Sequence, residues 1–197
     1  MQKSLQMPGE STDARAIRAR DQIGLALVAL ASEKDYDDIT VQDIARRARV
    51  SRTTFYAHFQ DREGIMVRYS VVFGAYLGRQ LRWDSAAAQY RFPVAPLFEH
   101  LLDIRALYDA LRRARRTDDL LKVFRLNLAI GFEKRIGSTR KKLARSSPGA
   151  ASVPARILAQ HLAATIVQLL AWWVEHHYAS KPQTMDEHFH RLVAGLR

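Results

Sequence analysis

The segment from Thr40 to Arg62, TVQDIARRARVSRTTFYAHFQDR, contains the side chains whose types and spacing define a chemistry most clearly. Its second half places guanidinium, hydroxyl, phenol and imidazole groups close together, with no acidic residue before Asp61. Such groups donate hydrogen bonds to phosphate oxygens and base edges, whereas carboxylates on the same surface would repel a polyanion. The segment therefore favours contact with DNA, and its candidate contacts are Thr40, Gln42, Arg52, Thr53, Thr54, Tyr56, His58 and Arg62.

Two short helices are predicted to position these side chains. Thr40 precedes an apolar-periodic run and has Asp43 three residues later, a spacing that favours a helix N-terminus. Ser51 can cap a second helix in the same way. Phe55 and Phe59 are four residues apart, so both rings should point inward and leave the polar groups on the outer face.

The connection between the two helices, Ala48-Arg49-Val50, has the length that helix-turn-helix units use. Such turns favour glycine at a left-handed residue, and Arg49 would cost about 1 kcal/mol there. The joint pattern resembles the DNA-binding domain of the tetracycline-repressor (TetR) family of bacterial regulators, over about residues 15–65. Arg49 stands where the family usually has Gly, and Arg62 where it usually has Lys. The matching residues are Thr40, Val41, Ile44, Ala45, Ala48, Val50, Ser51, Phe55, Tyr56, Phe59 and Arg62.

The resemblance implies a ligand-responsive transcriptional regulator, expected to be a repressor. It would bind a palindromic double-stranded DNA operator as a homodimer and be released by a small-molecule effector. The implied domains are a disordered lead at 1–12, a helix-turn-helix domain at 13–60, and an effector-binding and dimerisation domain at 61–197. A constitutive DNA-binding or architectural protein without an effector, and a helical enzyme, are the alternatives.

Hydrophobic periodicity predicts an all-α chain. The first helix should cover about 13–34 and the fourth should start near 61 and end near 83. A loop is expected at 84–96, and 146–149 is the clearest linker. Further helices are expected at about 97–115 with a break near 103, and then at 118–145, 153–178 and 185–196.

The predicted helix at 153–178 is apolar almost all round, so it must be covered on both sides. It is either a central core helix or the surface on which a second copy of the chain packs, together with the last helix. The candidate dimer residues on it are Ile166, Leu169, Trp172 and Trp173.

Aromatic and polar groups on otherwise apolar helical faces are the candidates for effector contact. His161, Thr165 and Gln168 share one stripe and could orient a ligand or be satisfied by neighbouring groups. The full candidate set is Tyr76, Phe98, Tyr108, Phe124, Phe132, His161, Thr165 and Gln168.

The chain has a formal net charge of +11, but the excess lies outside the segment that suggests DNA binding. Residues 1–63 hold 10 basic and 10 acidic residues, and the remainder holds 21 and 10. The basic clusters at 112–116 and 140–142 either belong to solvated surface or attract an anionic effector or flanking DNA.

Several chemistries find no support in the sequence. The chain has no cysteine, so it has no disulfide and no thiolate chemistry. His176-His177 and the pair His188 and His190 do not share a helix face, so neither makes a metal site alone. No phosphate loop or nucleophile elbow is present, and we expect neither an enzyme nor a cofactor. The apolar stretch at 163–174 is too short to cross a bilayer, which predicts a cytoplasmic protein with no membrane partner.

Overall fold

The computed structural model describes residues 13–143 and 153–194, and most of these are helical. The predicted lead at 1–12 and the predicted linker at 146–149 lie outside these ranges. A short 3-10 turn, Tyr36–Asp38, connects the first two α-helices. The helices are α1 Ala14–Ala31, α2 Val41–Ala48, α3 Arg52–Tyr56, α4 Arg62–Gly78, α5 Ala95–Asp103, α6 Arg105–Arg113, α7 Thr117–Leu143, α8 Ala155–Glu175 and α9 Pro182–Leu192.

The all-α prediction is confirmed with one local exception, because part of the expected loop at 84–96 forms a small hairpin. Strands β1 (Arg82–Asp84) and β2 (Gln89–Arg91) pair antiparallel. The Asp84 carboxylate accepts the backbone N–H groups of Ala86 and Ala87 at 3.0 and 3.2 Å, and these bonds form the turn. The rings of Trp83 and Tyr90 pack across the strands with centroids 4.9 Å apart.

The chain divides into two compact units, and each draws on two separate stretches of sequence. The first contains the residues up to Phe73 together with Asp103–Leu121, and the second contains Gly74–Leu102 and the described residues from Lys122 onward. Helix α6 therefore belongs to the first unit, in addition to the predicted 13–60 segment. The predicted functional division at residue 60 stays a prediction.

The core of the first unit is formed by the apolar faces of α1, α2, α3 and α6. Ile23 and Leu27 of α1 are fully buried with Ile44 of α2 and Phe55 of α3. Helix α6 adds Leu107, with Ala110 and Leu111 on the same buried face. This packing fixes α2 and α3, which hold the candidate DNA contacts, on a single apolar base.

Aromatic side chains fill the core of the second unit. Phe92 follows the hairpin and contacts Phe132 of α7 and Phe189 of α9, with ring centroids 5.2 and 6.2 Å away. In α4 and α7, Gly78 and Gly131 bring two backbones together, since a Cβ added at Gly131 would lie 2.7 Å from the Gly78 Cα. No other residue type fits at that distance without a shift of the helices.

Helix α8 is slightly shorter than the predicted helix at 153–178, but its apolar part is longer than the stretch at 163–174. Its 21 residues pass the length and composition test for a membrane span, which the shorter stretch at 163–174 did not. Half of that window is buried inside the chain, however, and eight of its residues belong to the core. By its burial, α8 is a core helix of the second unit.

Candidate nucleic-acid interface

The N-terminus of α2 is closed by a reciprocal capping box. Thr40 Oγ1 accepts the Asp43 N–H, and Asp43 Oδ2 accepts the Thr40 N–H, both at 3.1 Å. The Thr40 hydroxyl also donates to Asp43 Oδ2 at 2.7 Å, and Lys34 Nζ donates to the same oxygen. These bonds, led by that of Lys34, hold the pKa of Asp43 below its usual range. The N–H and the hydroxyl of Thr40 thus both donate within the cap, and its contact with phosphate stays a prediction.

The turn between α2 and α3 has the backbone geometry that the sequence predicted. Arg49 adopts φ 55° and ψ 39°, the left-handed conformation. The Val50 N–H bonds back to the Ala45 carbonyl at 3.0 Å, which completes a Schellman-type helix end. A non-glycine residue therefore occupies the left-handed site, at a conformational cost of about 1 kcal/mol.

Helix α3 is held from both its first and last turns. Ser51 Oγ accepts the Thr54 N–H at 2.9 Å, and the two hydroxyls share a further hydrogen bond of 2.9 Å. Thr54 is half-buried as a result, and its hydroxyl faces the cap. Phe55 and Phe59 point into the core as predicted, with ring centroids 6.0 Å apart. The inner face of α3 is therefore fixed, and its outer face is free to make contacts.

The outer face of α3 presents three of the predicted contact residues, Arg52, Thr53 and Tyr56, to solvent, and Gln42 of α2 is exposed as well. Tyr56 keeps 50% of its surface accessible. The Arg52 guanidinium lies 6.0 Å from the centre of the Tyr56 ring, a weak cation–π contact that leaves its N–H groups available. No carboxylate lies within α3.

His58 is half-buried, so its role differs from that of a fixed positive charge. Burial lowers the pKa of His58 below its usual 6.5, and the nearby positive charge of Arg20 lowers it further. The imidazole is consequently neutral at pH 7 and can act there only as a hydrogen-bonding group.

Arg62 performs a structural task that the sequence did not indicate. Its Nη1 donates to the carbonyl oxygens of Tyr36, Asp37 and Ile39 at 2.6, 2.8 and 2.9 Å. Its Nε donates to Glu63 at 2.9 Å, and the guanidinium lies 4.6 Å from the Tyr36 ring centre. Only 16% of the side chain is exposed. The segment between α1 and α2 thus occupies donors of Arg62, and its contact with phosphate stays a prediction.

The arginine clusters are partly neutralised by nearby acids. Arg47 pairs with Glu33 at 2.5 Å. In the first unit, Arg113 and Arg116 approach Asp35 and Asp37 at 3.6 and 3.7 Å. Because these four side chains are exposed, the contacts favour solvated surface as the role of two arginines of the 112–116 cluster.

The residues predicted to bind an effector fall into separate environments. Phe98, Phe124 and Phe132 are buried in the core of the second unit, and Tyr108 is buried in the first. The remaining candidates lie elsewhere, since Tyr76, His161 and Gln168 are exposed. The hydroxyl of half-buried Thr165 donates to the carbonyl of His161 on its own helix at 3.0 Å. Contact of these residues with an effector stays a prediction.

The predicted dimer residues also separate. Ile166 and Trp173 are fully buried within the chain, and their part in a dimer stays a prediction. The Trp173 indole N–H donates to the Ser180 carbonyl at 2.7 Å. Leu169 is half-buried, whereas Trp172 is 39% exposed and stacks on His176 with ring centroids 4.2 Å apart.

In the part of the chain that the structure describes, no group of three or more His, Asp or Glu side chains is arranged to hold a metal ion. The histidines at the end of α8 make local contacts instead. His176 Nδ1 lies 2.7 Å from the Trp172 carbonyl, and His177 has a positive φ of 53°.

Comparisons with known proteins agree with this geometry. A family model described as bacterial regulatory proteins, tetR family, matches residues 25–69. The uncharacterised HTH-type transcriptional regulator YxbF of Bacillus subtilis (strain 168) is 35% identical over 66 residues, which are 30% of this chain and 17% of that relative. The match thus spans about a sixth of the relative's length.

Two solved structures resemble almost the whole chain in fold. The dihydroxyacetone kinase operon activator DhaS aligns with a TM-score of 0.61 at 17% identity and covers 89% of this chain and 93% of its own. A TetR-family transcriptional regulator from Syntrophomonas wolfei aligns with a TM-score of 0.61 at 21% identity, with 89% and 94% covered. At these identities the likeness shows the fold alone.

Proposed function

Because the chain belongs to the TetR family of bacterial regulatory proteins, we propose that it is a ligand-responsive transcriptional repressor that binds a palindromic DNA operator. The family is one of regulators and not of enzymes. The observation that carries the proposal is the outer face of α3, where Arg52, Thr53 and Tyr56 are exposed on a buried aromatic base without a carboxylate.

The contacts divide by chemistry. Arg52 and Thr53 open α3 and suit base edges, because a guanidinium can grip guanine in a bidentate way and a threonine methyl can contact thymine. Tyr56 and His58 suit phosphates, which position the domain without reading sequence. Gln42 could serve either purpose. Thr54 is the weakest of the original candidates because its hydroxyl already faces Ser51.

The short length of the DNA-recognition helix α3 supports a homodimer. Helix α3 has five residues, and one such helix covers too few base pairs to select a site in a genome. Two copies related by a twofold axis would read half-sites about one helical turn, or roughly 34 Å, apart. The proposed surface is the exposed side of α8 with α9, where Ile157, Trp172 and Leu192 leave apolar area uncovered.

An effector would act through the second unit. Helix α4 has residues in both units, so a ligand that shifts its C-terminal end could alter how the DNA-binding units are presented. The ligand must bind the DNA-free state more tightly, since equal affinity for both states shifts nothing. Phe98, Phe124 and Phe132 are the proposed apolar lining and Thr165 the proposed polar contact. Substitutions of Phe124 or Thr165 should alter the response to an inducer and leave operator affinity unchanged.

A constitutive DNA-binding protein is the second candidate. It is favoured by the complete burial of Phe98 and Phe132, which pack against protein and not against a void. We further propose that the protein acts in the cytoplasm and has no membrane partner.

Fluorescence anisotropy with DNA from upstream of its own gene tests the proposal. The full chain should bind a sequence within that DNA, and Arg52→Ala should weaken binding and reduce sequence preference. Arg79→Ala is the matched control, because Arg79 is an exposed arginine of the second unit. Sedimentation should give twice the chain mass of 22.5 kDa. A monomer without sequence preference would refute the proposal, whereas a sequence-specific dimer that no small molecule releases would favour the constitutive alternative.

A further inference from the structure

An open surface cavity of about 660 Å³ lies on the second unit, between the hairpin, the start of α5 and α9. Its volume is in the range of about 300–1,000 Å³ that is usual for small-ligand sites. Phe92, Pro93 and Pro96 give it an apolar wall, and Arg82 and Arg91 stand at its edge. None of the residues predicted from the sequence to bind an effector lines it.

The two arginines are placed directly opposite each other. Arg82 and Arg91 are partners in the strand register, so their side chains share one face of the hairpin. Like charges in this position repel and destabilise the strand pair. Arg91 has a long ion pair, with its Nε 3.5 Å from Asp84 Oδ2. Among the described residues, the Arg82 guanidinium has neither a hydrogen bond nor an ion pair. An anion between the two guanidinium groups would relieve the repulsion.

The acidic side chains of the cavity wall are already engaged. Asp186 Oδ1 accepts the backbone N–H groups of Val94 and Ala95 at 2.7 and 3.1 Å and so caps the start of α5. Glu187 lies 3.8 Å from Arg191. His190 does not change this balance near pH 7, because burial lowers its pKa below the usual 6.5 and keeps the ring neutral. The wall thus contains two arginines and two carboxylates, and Arg82 is the only one of these four side chains that has neither a hydrogen bond nor an ion pair among the described residues.

We propose that this cavity binds an amphipathic monocarboxylate. The carboxylate lies between Arg82 and Arg91, where each guanidinium can donate two N–H groups. The apolar body of the ligand packs on Phe92, Pro93 and Pro96, which excludes water from that side. This site is distinct from the effector lining proposed above, and it holds whether or not its occupation changes DNA affinity.

Isothermal titration calorimetry of the full chain with octanoate tests the site directly. Octanoate should bind, and octanol, which has the same carbon chain without the charge, should bind at least tenfold more weakly. The double variant Arg82→Gln/Arg91→Gln should bind octanoate about tenfold to a hundredfold more weakly than the unmodified chain, the range expected for losing charge-assisted hydrogen bonds. Arg79→Gln/Arg156→Gln removes the same charge from exposed positions outside the cavity and should leave octanoate affinity unchanged.

Three results would overturn the proposal. They are no octanoate binding at millimolar concentration, equal affinity for octanoate and octanol, and equal affinity of the Arg82→Gln/Arg91→Gln variant and the unmodified chain. Thermal unfolding without ligand provides an independent check. The single variant Arg82→Gln removes the repulsion and leaves the Arg91–Asp84 ion pair in place, so it should unfold at the same or a higher temperature. A lower temperature would mean that the protein itself satisfies Arg82, and the argument for a bound anion would fail.

Discussion

Substitution of Arg62 by alanine should destabilise the first unit and should leave the salt dependence of DNA binding unchanged. The guanidinium bonds to the part-buried carbonyls of Tyr36 and Ile39, and each such bond is worth about 1–1.5 kcal/mol. Contact with the Tyr36 ring adds about 0.5–1 kcal/mol. The bonds to Asp37 are exposed and contribute little. The expected loss is about 3 kcal/mol, which lowers Tm by about 6–12 °C for a chain of this size.

Calorimetry and anisotropy together separate this role from a phosphate contact. If Arg62 neutralised a phosphate, Arg62→Ala would reduce the slope of log affinity against log salt by about 0.9 and leave Tm unchanged. Arg52→Ala is the matched control, since Arg52 is exposed and makes a single weak contact with Tyr56. It should keep Tm within about 2 °C, a surface effect of about 0.5 kcal/mol. An Arg62→Ala variant with unchanged Tm and a reduced salt slope would refute the reasoning.

Three further substitutions test the backbone and the cap. Arg49→Gly should raise the free energy of unfolding by up to about 1 kcal/mol in urea denaturation, because glycine adopts the left-handed conformation freely, whereas Arg49→Ala, which keeps the Cβ, should bring no gain. Gly131→Ala should cost at least about 1–3 kcal/mol in the same assay because its Cβ would meet the Gly78 backbone; Gly137→Ala, with no atom within 4 Å, should be neutral or stabilising. Asp43→Asn should lower Tm at pH 7, and the difference should shrink progressively as pH falls below about 3.8. The pKa of Asp43 is depressed, so the stability it contributes is fully present above about 3.8 and is lost as pH falls toward its folded value. A Tm difference that did not shrink below about pH 3.8 would contradict that assignment.

The local features of the DNA-binding segment were predictable because their causes are three or four residues apart. The capping box joins Thr40 and Asp43, and the serine cap joins Ser51 and Thr54. Phe55 and Phe59 follow helical spacing and mark the buried face of α3, so the polar residues of the helix were predicted on the opposite, exposed face. The family pattern across residues 40–62 gave the fold of the remainder, which periodicity alone could not have assembled.

The missed features depend on contacts that are distant in sequence or on very short elements. Arg62 meets carbonyls up to 26 residues away, so its bonds left no local pattern. The strands of the hairpin have three residues each, too few to show a period of two. In α8 an almost uniformly apolar sequence could not distinguish buried Trp173 from exposed Trp172, because only the packing of neighbouring helices decides which face is covered.

The polar side chains of the helix-turn-helix now divide by what they already bind. Thr40 and Ser51 form hydrogen bonds in helix caps, and Arg62 forms them with the segment before α2. Substitution of these residues should therefore lower stability both with and without bound DNA. Arg52 and Thr53 hold no hydrogen bond that the fold requires. Because the two groups share no partner, stability and sequence preference should respond to separate residues, and their effects should add. A new operator preference is therefore to be sought at Arg52 and Thr53, where the fold does not oppose the change.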